Sequence, residues 1–134
     1  MEIRFEHGIP GFEHLKSYIL IQEEEGGYFA NLKSVEEQEI GFLVTNPFLF
    51  YPSYEFKLPE YIQDDLQIDD EEDVEVWAIV TVGENIENSS LNLLAPIILN
   101  KRLRLGRQVI LLDTPYQTKH LLIQNTKDQV EQKG

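Results

Sequence analysis

The chain has 134 residues, with 24 acids against 11 bases for a formal net charge of −13, and no cysteine. That length holds one domain with a sizeable core but not two; the missing thiols exclude a disulfide framework and a thiolate metal site, as in a reducing compartment; and the acidity disfavours direct contact with nucleic-acid phosphates. No apolar run approaches the ~20 residues of a membrane span, and Glu2, Arg4, Glu6 and His7 stand where a signal peptide would be apolar, so a cytoplasmic protein without membrane contact is expected.

In chain order, Gly8-Ile-Pro-Gly-Phe12 reads as a tight turn followed by an aromatic anchor; it lacks the glycine spacing and trailing Lys-Ser/Thr of a nucleotide loop. Tyr18 to Ile21, Tyr28 to Leu32 and Ile40 to Val44 are short apolar runs separated by polar turns at Glu23 to Gly27 and Val35 to Glu39. A three-stranded meander is the economical reading.

Next comes Thr45 to Phe56, where Pro47 and Pro52 each remove a backbone donor and break regular structure. Phe48, Phe50, Tyr51, Tyr54 and Phe56 place five of the chain's 14 aromatics in this segment. Burying each ring is worth roughly 1.5–3 kcal/mol, so the segment packs on its own domain as a core cap or on a partner.

Leu58-Pro59 opens a short helix ending near Gln67, with Ile62 and Leu66 on one face. From Glu60 to Glu75 there are nine acids and no base, densest at Asp69, Asp70, Glu71, Glu72 and Asp73. This run is read as a solvated acidic turn or as a surface that steers a basic partner; the ligand spacing of a calcium loop is absent. Glu75 to Val82 reads as a central strand. Leu91 to Leu99 carries Pro96 and is expected at a sheet edge or bulge, and Val109 to Leu112 completes the strands. The sum is a mainly β fold: a compact β-barrel-like domain of short antiparallel strands with one or two short helices, spanning 1–123 and followed by a mobile tail, 124–134. A monomer is expected, since no heptad pattern appears.

The string TNPFLFYPSYEF at 45–56, with GIPGFE at 8–13 and NLLAPIILN at 92–100, resembles the flagellar assembly factor family (FliW). Ala78 to Val82 and Gly106 to Ile110 match further strands of that family, so the likeness covers most of 8–113. Members usually carry a further strand before the GIPGF segment; with only Met1 to His7 ahead of it, that strand is expected to be missing or altered. The resemblance implies a compact β-barrel-like cytoplasmic adaptor that binds flagellin and, when free of it, the carbon storage regulator (CsrA), a dimeric RNA-binding repressor of flagellin translation.

Catalytic chemistry is not expected. The three histidines, His7, His14 and His120, show no paired-ligand spacing, and no nucleophile elbow or nucleotide fingerprint occurs. No cofactor and no metal is implied. Two other classes keep the acidic surface: a nucleic-acid mimic inhibiting another basic protein, and a small enzyme built on paired carboxylates. The expected recognition element is Asn46, Pro47, Phe48, Phe50 and Tyr51, with Asp69 to Asp73 supplying acidic field. Asn46 would hydrogen-bond a partner backbone, Pro47 would stiffen the loop, and Phe48 or Phe50 would enter a partner groove.

Overall fold

The computed structural model describes residues 1–22 and 26–123. The expected tail, 124–134, and residues 23–25 of the turn expected at Glu23 to Gly27 lie outside the described residues. Among the described residues there are nine strands: β1 (Glu2–Arg4), β2 (Ser17–Ile21), β3 (Phe29–Ser34), β4 (Gly41–Thr45), β5 (Val74–Thr81), β6 (Ser90–Leu91), β7 (Ile97–Asn100), β8 (Leu105–Gln108) and β9 (His120–Leu121). One α-helix, α1 (Glu60–Asp65), and three short 3-10 turns are the other elements among the described residues.

The strands β4-β3-β2-β1-β8-β7-β5 are neighbours in that order, and β5 returns to β4 through Val44↔Ile79 and Thr45↔Ala78, closing a barrel of seven strands. Closure leaves these strands no open edges. Every pairing in the ring is antiparallel except β1 with β8, where Arg4 stands opposite Leu105 in parallel. The expectation of antiparallel strands throughout is corrected at that seam for a topological reason: strand direction cannot alternate around a closed ring with an odd number of members. β6 and β9 extend the sheet from the far end of β5.

The front strand, expected to be missing or altered, is present and short. β1 has three residues, with Ile3 wholly buried, and its pairing is prolonged by Leu20 N–H to Met1 O at 2.8 Å and Phe5 N–H to Lys16 O at 2.7 Å. The run was too short to show a period.

Side-chain alternation along the strands builds two cores. Ile3, Phe5, Tyr18, Leu20, Leu32, Val44, Trp77, Ile97 and Leu99 fill the barrel, while Ala78, Val80, Ile98, Val109 and Leu111 point outward into a second core with Tyr54, Ile62, Leu66, Leu93 and Leu122. β7 is therefore apolar at successive positions because both of its faces are covered. It is not an edge strand: β5 flanks it on one side and β8 on the other. Pro96 lies just before it, where no donor is needed, and its carbonyl accepts the Val109 N–H at 2.9 Å.

The last barrel strand sits earlier than its apolar run, Val109–Leu112, suggests: it is Leu105–Gln108, overlapping the segment Gly106 to Ile110 that the family resemblance matched to a strand. Gly106 and Arg107 disguise it, since neither reads as strand-forming. Gly106 is required by the interior: a Cβ there would lie 2.7 Å from Phe5 Cζ, 2.8 Å from Leu99 Cδ2 and 3.0 Å from Ile3 Cγ2. Gly106→Ala overpacks the barrel at three contacts together and is expected to destabilise it by about 1–3 kcal/mol, measured as a lowered urea midpoint at unchanged slope.

Candidate partner-binding groove

The aromatic segment leaves β4 at Thr45, whose hydroxyl donates to the Tyr28 carbonyl. Asn46 then caps a 3-10 turn, Pro47–Leu49, by accepting the Phe48 N–H on Oδ1 at 2.9 Å. Pro47 is buried, and the turn pushes Phe48 and Leu49 outward, 40% and 50% exposed. The next rings turn back. Phe50 packs 6.0 Å from both Tyr28 and Phe29; Tyr51 lies edge-on to His120 at 5.5 Å and donates its hydroxyl to Leu121 O at 2.5 Å. Tyr54 is buried: its hydroxyl donates to Leu93 O at 2.8 Å, and its ring meets Tyr116, Phe56 and Phe48 at 4.7, 5.3 and 5.6 Å. Burial, then the neighbouring Tyr116, pushes the Tyr54 hydroxyl's pKa well up, so it remains a proton donor to Leu93 at all physiological pH.

The helix and the acidic turn form the facing wall. Pro59 occupies the cap of α1, and Ile62 and Leu66 anchor it in the outer core, as their spacing predicts. After Gln67, Asp70 accepts the Glu72 N–H at 2.9 Å and starts the 3-10 turn Glu71–Asp73, which leads straight into β5. Arg102, from the turn between β7 and β8, reaches Asp73 at 3.1 Å and Asp69 at 3.5 Å. These pairs are solvated and worth ~0–1 kcal/mol. They do consume part of the acidic field expected at Asp69 and Asp73, whereas Asp70, Glu71 and Glu72 are exposed and enter no ion pair among the described residues.

Between these walls lies a groove of about 540 Å³. Phe48, Tyr54, Phe56 and Leu58 form one side, Ile68 and Glu71 the other, and Val74, Val76 and Ile98 the floor, with Glu55, Lys57 and Gln63 along the lining. Of the residues expected in a recognition element, Phe48 and Glu71 meet here. Phe50 and Tyr51 are drawn into packing, Pro47 is buried, and Asn46 spends its side-chain oxygen on the turn. The floor was missed because an outward-facing residue of a strand apolar on both sides looks, in sequence, like any core residue. The paired apolar runs at Val74 to Val80 and Ile97 to Leu99 are the signal that could have found it.

The segment is also tied to the C-terminal strand through His120. Its Nε2 accepts the Gln117 N–H at 2.9 Å, and burial holds its pKa below the usual imidazole value. A neutral ring is what that hydrogen bond requires. With the folded-state pKa depressed, the His120 contribution is fully present above about pH 6.5 and is lost as the pH falls through the folded value. The thermal midpoint of His120→Gln is therefore expected to change less than that of the native protein between pH 7.5 and 5.5.

Among the described residues no three His, Asp or Glu side chains converge to hold a metal ion, and no helix is long and apolar enough to cross a membrane. Apolar floor, ring-bearing wall and acidic rim meet in this one groove. Residues 1–122 match the family described as FliW protein. The chain belongs to the FliW family of flagellar assembly factors. It is 44% identical over 120 residues to the flagellar assembly factor FliW of Bacillus pumilus, covering 90% of this chain and 83% of that one. The Bacillus subtilis flagellar assembly factor FliW is 44% identical over 118 residues, covering 88% and 82%. A crystal structure of the flagellar assembly factor FliW superposes with a TM-score of 0.88 at 41% identity, covering 92% of this chain and 86% of that one. FliW family membership accords with the barrel and with the motifs at 8–13, 45–56 and 92–100 from which the resemblance was read.

Proposed function

We propose that this FliW family member acts in the cytoplasm as an adaptor that binds flagellin and, when free of it, binds and inhibits the carbon storage regulator CsrA, relieving repression of flagellin translation. The observation that carries this reading is the likeness to flagellar assembly factors along most of the chain. The acid-rimmed groove at Phe48 supplies a place for it. A polypeptide with an apolar anchor and basic flanks suits an apolar floor beside Glu55 and Glu71. The net charge of −13 supplies a means of inhibition without direct competition: a body this acidic, docked beside a cationic RNA groove, raises the local negative potential against the incoming phosphates.

Titrating the purified protein against flagellin and the regulator, separately and then together, at roughly 50 and 300 mM salt, tests the proposal. Binding to each alone, displacement of the regulator by flagellin, and inhibition of RNA binding that fades at the higher salt are the expected results. No affinity for either protein would refute it.

A further inference from the structure

The groove at Phe48 does not end at Lys57. Phe56 and Lys57 also line a second hollow of about 330 Å³, walled by Tyr61 of α1 and by Ile110 and Leu112 of the extended run after β8. Leu112 is 79% exposed, Tyr61 59% and Ile110 58%. Alternation accounts for the last stretch: Val109 and Leu111 turn into the outer core, so Ile110 and Leu112 face away from it. Tyr61 is steadied from β8, where the Arg107 guanidinium stands 5.5 Å from its ring centroid while bonding Asp65 at 2.8 Å. Three large apolar side chains so exposed around one hollow form an unpartnered surface.

The charges along the two hollows are ordered. Glu55 and Glu71 line the first, Asp113 the second, and Lys57 stands between them, in no ion pair among the described residues. We infer that the two hollows form one track across the Phe56–Lys57 ridge, occupied by an amphipathic segment of a partner protein with an apolar anchor in each hollow and a carboxylate between them facing Lys57. This rests on the reading of the Phe48 groove as the adaptor's binding site and extends it to a second anchor and a charge order. The order acid, base, acid in the track selects base, acid, base in the occupant and penalises a uniformly basic one at Lys57. A second copy of this chain fits poorly, since two bodies of −13 repel.

The test titrates flagellin against the native protein, Ile110→Ser with Leu112→Ser, Lys57→Glu, Lys57→Arg and Phe48→Ala, and sediments the native protein and the double variant alone. The substituted side chains in the second hollow are solvent-facing, so thermal midpoints should hold. Affinity is expected to fall roughly tenfold in the double variant and in Lys57→Glu, and to be kept by Lys57→Arg. Native affinity in the double variant and Lys57→Glu, beside a weakened Phe48→Ala, would overturn the second hollow and leave the first groove standing. Undiminished binding by all of them, or no binding by the native protein, would overturn both. A dimer that the double variant converts to monomer would assign the hollow to self-association and overturn the inference.

Discussion

Replacing Asn100 by alanine is expected to cost the fold about 3 kcal/mol, because this one fully buried side chain satisfies four backbone groups. Its amide nitrogen donates to the carbonyls of Leu66 and Gln67 at 2.8 and 3.1 Å, and its oxygen accepts the N–H groups of Arg102 and Leu103 at 3.1 and 3.2 Å. The first pair closes the end of α1, where Gln67 adopts a left-handed φ of 53°; the second shapes the turn from β7 to β8. In alanine the two carbonyls lose their donor. Asn100→Asp keeps the shape and the acceptor but aims a carboxylate at two carbonyl oxygens, so it should be at least as damaging near neutral pH and milder in acid, where the group is protonated. Urea unfolding of both variants at pH 7 and pH 4.5, each referenced to the native protein, measures this; a loss below about 1 kcal/mol for Asn100→Ala would mean the bonds are replaced by water.

Tyr54→Ala should lower stability by about 3–5 kcal/mol, the range for truncating a buried aromatic. The ring is the hub of the outer core, packed against Phe48, Phe56 and Tyr116, so its removal opens a cavity behind the groove wall. Tyr54→Phe separates packing from hydrogen bonding. It keeps the ring and strands the Leu93 carbonyl, for an expected cost of about 1 kcal/mol. If the two variants lost equal stability, the hydroxyl and not the ring would be holding the aromatic segment down.

The same residues show what could be read in advance. The meander β2-β3-β4 was legible because its strands are short apolar runs with polar turns between them. α1 was legible from Pro59, Ile62 and Leu66, and β5 from its apolar length. β7 was read as an edge strand or a bulge because of Pro96, which argues against a regular central position only if it lies within the ladder, and it lies just outside. In the apolar pattern β8 was hidden by Gly106, whose presence answers to side chains far away in sequence, and only the resemblance at 106–110 marked a strand there. Asn100 is only the last residue of the 92–100 motif in sequence; that it closes α1 follows only from the folded chain. At the groove, Phe48 and Glu71 were named for composition, and the structure brings them together with a floor that sequence could not separate from the core. Local chemistry marks rings and charges, but not which way a strand's second face looks.

The claim on which the rest depends is that the outward ring of the aromatic segment, over this groove, holds the partner. Isothermal titration of flagellin into Phe48→Ala, at matched folded fraction determined by circular dichroism, tests it most directly. The account predicts an affinity about tenfold or more below that of the native protein, with a thermal midpoint only slightly lowered because the ring is already 40% exposed. Native affinity per folded molecule, accompanied by a marked loss of stability, would contradict it and make Phe48 a cap on the outer core.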